Sequence, residues 1–135
     1  RDLVPALVGE FAQFLRRHSA LLAAFMEQGD HDTVVEEIGR RSFQQTQLDF
    51  RLLLLDRAAE FAHPDPERAA AACFTLSYAT IGRYLGLNSG VRGHGGEGEG
   101  DWTRIVEDVS QMCLAYLVTD PNPADTDTRR RATRR

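Results

Sequence analysis

Few side chains in this sequence are of a type and spacing that could do chemistry, and most of them fail on inspection. His18, His31, His63 and His94 fall on separate segments, at or near helix ends or loops. His31, Asp32 and His63 are the one set that could converge on a metal, but solvation or capping of helix ends accounts for them more simply. Neither a metal nor a cofactor is expected. Cys73 and Cys113 lie in apolar helical contexts with neither metal-ligand spacing nor a disulfide pattern, and read as two reduced, buried thiols. Ser, His and Asp all occur, yet nothing marks a nucleophile elbow or a paired-carboxylate site, so no enzyme is expected. Gly93-His94-Gly95-Gly96-Glu97-Gly98 matches the dinucleotide fingerprint in form. That motif works only between a strand and a helix of a parallel sheet, and the sequence predicts neither beside it.

Binding is the chemistry that remains. Phe43, Gln47, Phe50 and Leu54 follow i, i+4, i+7, i+11, one face of a helix. An amide between two phenylalanines can orient a ligand while the rings supply contact area. Phe25 and Met26 could form another wall, and Phe74, Ser77 and Tyr78 could close the site from a later helix. No charged residue falls within this set, so the expected ligand is small and apolar or uncharged. The competing reading is an ordinary core in which Gln47 is exposed or bonded internally.

These residues must be positioned by helices, because no alternating strand pattern of useful length occurs. The fold class read from the sequence is all-α, with five or six helices. The first spans about 2–17, with Leu3, Leu7, Phe11, Phe14 and Leu15 on one stripe and Pro5 in its first turn. The second covers about 18–28. A third opens with the capping-box pattern Thr33 to Glu36 and runs to about 62, as one helix or as two that break near 39–42. Its leucines 52–55 point all round the helix, which predicts burial on most sides. The fourth runs from Asp65-Pro66 to about 85, and a glycine-rich loop over 86–100 follows. Asp101 caps a fifth helix, about 102–118. Residues 120–135 lack large apolar side chains and read as a disordered, Arg-rich tail.

Charge narrows the partners. The chain has 135 residues and a formal net charge of −4, with no lysine. Five of its sixteen arginines lie in the last seven residues, leaving eleven Arg against twenty acidic residues, a net −9. An acidic body repels phosphate, so the folded surface is not expected to bind duplex DNA. The longest nearly uncharged run, 69–82, is too short for a membrane span, and no signal peptide is expected. A cytoplasmic protein, cut from something longer, is the expectation.

The fourth and fifth helices are apolar over more than one face, and three preceding helices can cover only one face of each. Pairing with a second copy, as a four-helix bundle about a two-fold axis, would hide the rest. The residues expected at that interface are Ala72, Leu76, Ala79, Arg83, Trp102, Ile105, Val109, Met112 and Tyr116.

Local phrases then resemble a known family. His63-Pro64-Asp65-Pro66-Glu67-Arg68-Ala69-Ala70, with the helix through Gly82-Arg83, resembles the start of the penultimate helix in TetR-type bacterial transcription regulators. Arg17-His18-Ser19-Ala20-Leu21-Leu22 is similar to that family's junction between its fourth and fifth helices, and 102–117 falls where its last helix would. The likeness covers about 2–118. It implies a homodimeric C-terminal domain that binds a small molecule in a pocket between the middle helices and the dimerisation helices. It further implies a repressor whose operator DNA is gripped only by an N-terminal helix-turn-helix that this chain lacks. A helical structural or adaptor homodimer without a pocket fits the same residues, whereas a helical enzyme would need a catalytic constellation and none is visible.

Overall fold

The computed structural model describes residues 3–87 and 100–134. The fingerprint match, His94 and most of the glycine-rich loop lie outside the described residues. The elements are α1 (Leu3–Arg17), α2 (Ser19–Gly29), α3 (Thr33–Leu55), a 3-10 turn (Ala58–Glu60), α4 (Pro66–Tyr84), α5 (Trp102–Val118) and α6 (Pro123–Thr133). The protein is all-α, with no strand among the described residues.

Helix starts follow local chemistry. The Asp65 carboxylate accepts the Arg68 amide at 3.1 Å, with Pro66 in the first turn where its missing N–H costs nothing. Asp101 caps α5 in the same way, accepting from Arg104 at 3.0 Å. At α3 the capping-box reading is corrected: Asp32, not Thr33, is the cap, accepting from Val34 at 2.9 Å and Val35 at 3.4 Å. A carboxylate one residue earlier competes successfully with the hydroxyl for the same orphan amides.

α3 is one unbroken helix, and it ends at Leu55 rather than near 62. Its four leucines are not buried on most sides. Leu54 is buried and Leu55 half-buried, while Leu52 and Leu53 stand exposed. The reason is geometric: α3 packs against α2, α4 and α1, and the part of its surface that carries Leu52 and Leu53 is left to water. The tail read as disordered runs as a helix over Pro123–Thr133, with Pro in its first turn and its described side chains exposed.

The core draws on four helices. Val4, Val8, Phe11, Ala12 and Leu15 come from α1, and Phe50 and Leu54 from α3. Ala69, Ala70, Cys73, Phe74 and Ile81 come from α4, and Val109, Cys113 and Leu117 from α5. The connection into α4 is tied to the end of α5. The Ala62 and His63 amides both donate to the Leu117 carbonyl, at 3.1 and 3.2 Å, which satisfies an otherwise orphaned helix-end acceptor. His63 is buried, its Nδ1 accepts the Asp65 amide at 3.0 Å, and its ring meets Tyr116 at 4.8 Å. It is a structural histidine.

Cys73 and Cys113 face each other where α4 and α5 pack, each Sγ 3.7–3.8 Å from the other's carbonyl oxygen. Both are free thiols. Contact with Cys113, reinforced by burial, pushes the Cys73 thiol well above the ordinary cysteine range, so it stays protonated and unreactive. Because both are buried, the two thiols are expected to resist a disulfide-exchange reagent in the native chain and to react together on unfolding. Fast labelling of either one without denaturant would contradict this packing.

α4 ends in a left-handed turn. Gly86 has φ 76, and the Leu87 amide reaches back to the Gly82 carbonyl at 2.7 Å. A Cβ at that φ is strained, so Gly86→Ala is expected to cost about 1–2 kcal/mol in a urea titration. A neutral result would mean the turn is not held.

Candidate functional site: an aromatic groove between α3 and α4

Between α3 and α4 lies a groove of about 650 Å³ lined by Phe43, Gln47, Phe74, Thr75, Tyr78, Ala79 and Arg83. That size suits a small organic ligand. Its wall is a cluster of rings. Phe43 meets Phe74 edge-on at 5.6 Å and Tyr78 at 5.0 Å, while Tyr78 stacks on Phe74 at 6.1 Å and 13°. Burial pushes the Tyr78 phenol up, so it remains a neutral O–H at ordinary pH. Gln47 is half-buried on the same wall and brings both an amide donor and an acceptor. Phe43, Thr75, Ala79 and Arg83 are exposed, so the groove opens to solvent along α4.

Of the residues the sequence proposed for binding, Phe43, Gln47, Phe74 and Tyr78 come together here. Phe50, Leu54 and Ser77 lie behind them as core: Phe50 packs on Phe74 at 5.4 Å, and Ser77 has no exposed surface. Phe25 and Met26 are exposed on α2 and are not on this wall. Thr75, Ala79 and Arg83 complete the lining and were not foreseen as a wall. Their i, i+4, i+8 spacing beside Tyr78 was the available signal. Arg83 also corrects the expectation of an uncharged site, because one cation stands at its rim.

The Ser77 hydroxyl lies 3.8 Å from Cys113 Sγ, a weak bond in a fully buried place. Ser77→Ala should therefore leave stability within about 1 kcal/mol of wild type. A loss of several kcal/mol would point to a stronger role for the hydroxyl.

The residues expected at a dimer interface divide in two. Ala72, Ala79, Arg83, Met112 and Tyr116 are exposed along the outer side of α4 and α5. Leu76 and Ile105 are half-buried against the core. Trp102 packs on Tyr84 at 5.4 Å with the Arg16 guanidinium 4.6 Å over its ring. Val109 is buried within its own subunit and has no surface left to offer a partner. Its place on the stripe points at α1 and α4, which already cover it.

Comparison with known proteins returns nothing: no family model, curated protein or solved structure matches the chain. No described helix is long and apolar enough to cross a membrane.

Proposed function

We propose that this chain is the ligand-sensing and dimerisation part of a TetR-type transcription regulator, a repressor whose DNA-binding head lies outside this sequence. The observation that carries the reading is the α3–α4 groove, which shares Ala79 and Arg83 with the face expected to pair with a second copy. A ligand seated on Phe43, Phe74 and Tyr78 would press on the same turns of α4 that a partner subunit touches. Occupancy then favours one pairing geometry over another, and the spacing of two DNA-reading heads follows that choice. The ligand class is an apolar, ring-sized body with one acceptor or anionic end directed to Arg83.

The fluorophore 1-anilinonaphthalene-8-sulfonate has that form and serves as the probe. Titration is expected to give a saturable signal, weakened about tenfold by Phe43→Ala, a loss typical of one good aromatic contact. Arg83→Ala should weaken this probe more than its uncharged analogue, N-phenyl-1-naphthylamine. Unsaturable binding, or binding indifferent to both substitutions, would remove the ligand-sensing reading. The helical structural dimer without a pocket would then stand in its place.

A further inference from the structure

An exposed apolar stripe lies on α3, away from the groove. Val34, Ile38, Leu48 and Leu52 are 66%, 53%, 47% and 54% exposed. With Arg41 and Gln45 between them they follow steps of 4, 3, 4, 3 and 4, the spacing of a coiled-coil seam. At 100° per residue this stripe stands opposite Phe43, Phe50 and Leu54, the side that faces the core. α3 is therefore apolar on two opposed sides, and only one of them is covered by its own chain.

We propose that this stripe is a self-association surface, on which α3 pairs antiparallel with α3 of a second copy. The order of residues selects that occupant. Val34 and Leu52, Ile38 and Leu48, and Arg41 and Gln45 are each equidistant from position 43. A two-fold axis there sets apolar against apolar in the outer layers and polar against polar at the centre, the self-complementarity a closed two-fold interface requires. A parallel pairing would place Arg41 against Arg41.

Charge fits the same arrangement. Gln45 Nε2 donates to Asp49 at 2.8 Å, which leaves the Gln45 carbonyl oxygen to accept. Arg41 holds Glu37 through Nε at 3.0 Å and keeps its terminal nitrogens. The axis brings those nitrogens to Gln45 and Asp49 of the second copy. It also sets Glu37 within about one turn of the second copy's Arg51.

Cysteine cross-linking of the full chain tests register and direction together. The native thiols are buried and do not compete. Gln44→Cys lies beside the axis and is expected to form a disulfide-linked dimer under copper-phenanthroline and air. Glu37→Cys is expected not to, since antiparallel pairing holds its two copies about 18 Å apart along the helix. Glu37→Cys mixed with Arg51→Cys should cross-link. Ile38→Glu should weaken the α3-mediated step of self-association about a hundredfold by sedimentation equilibrium, leaving only the pairing through α4 and α5, with the helical circular dichroism unchanged.

Self-cross-linking of Glu37→Cys as efficient as that of Gln44→Cys would mean parallel pairing and overturn the proposal. So would the absence of any Gln44→Cys dimer. An Ile38→Glu protein that associates like wild type would show that a different partner covers the stripe. Ile38→Glu leaves the groove intact, so loss of probe binding would count against the sensor reading and not against this one.

Discussion

Phe74→Ala should lower stability by about 3–5 kcal/mol, the range for removing a buried ring that its surroundings cannot refill. The side chain is 2% exposed and sits where three helices meet. Phe11 of α1 is 5.5 Å away, Phe50 and Phe43 of α3 are 5.4 and 5.6 Å away, and Tyr78 stacks from its own helix. Each of these rings is anchored on a helix with other contacts, so none can move far enough to close the gap. A domain of this size has a total stability of about 5–15 kcal/mol, so the loss takes a third or more of it at mid-range. The melting temperature should fall by about 10–20 °C. Urea unfolding should show a lower midpoint with an unchanged slope. Phe43→Ala is the control. That ring is exposed along one side, so its removal should cost less than half as much while weakening probe binding more. A Phe74→Ala protein within about 1 kcal/mol of wild type would mean that the aromatic cluster does not organise the fold.

The second large effect concerns pairing through α4 and α5. With the α3 stripe silenced by Ile38→Glu, the remaining self-association should use the exposed side of α4 and α5. Adding Ala72→Glu and Met112→Glu should weaken that association by about a hundredfold or more, because two carboxylates would be desolvated against their copies. Both side chains are exposed and neither lines the groove, so folding and probe binding should persist. Sedimentation equilibrium reads the change as a shift from dimer to monomer. If the Ile38→Glu protein is already monomeric, α4 and α5 do not pair and the regulator reading loses its support. If the added carboxylates change nothing, the interface lies elsewhere.

The two proposed pairing surfaces differ in how plainly the residues announce them. By sequence pattern the surplus apolar surface falls on α4 and α5, since both are apolar on two sides. Much of that surplus is taken up inside the subunit. Val109 and Cys113 are covered by α1 and α4, and Trp102 by Tyr84 and Arg16. The stripe left most exposed is on α3, in a helix whose leucines were expected to be buried on most sides. The heptad spacing from Val34 to Leu52 was present in the chain. It is masked by the second apolar set at Phe43, Phe50 and Leu54, and periodicity alone does not say which set faces inward.

Local order is what the sequence by itself determined. Asp65-Pro66 and Asp101 set the starts of α4 and α5, because a carboxylate before a run of helix formers satisfies amides within its own few residues. The all-α class follows from the same short-range periodicity, as does the grouping of Phe43 and Gln47 on one face. Tertiary structure alone decided which side of each helix is covered. It left Leu52 and Leu53 outside, put Phe50 and Ser77 behind the groove instead of on its wall, and brought Arg83 to the rim. Those outcomes depend on how α3 sits on α4 and how α5 closes over Cys73. Such arrangements are set by shape and packing between segments distant in the chain, and a one-dimensional pattern carries no record of them.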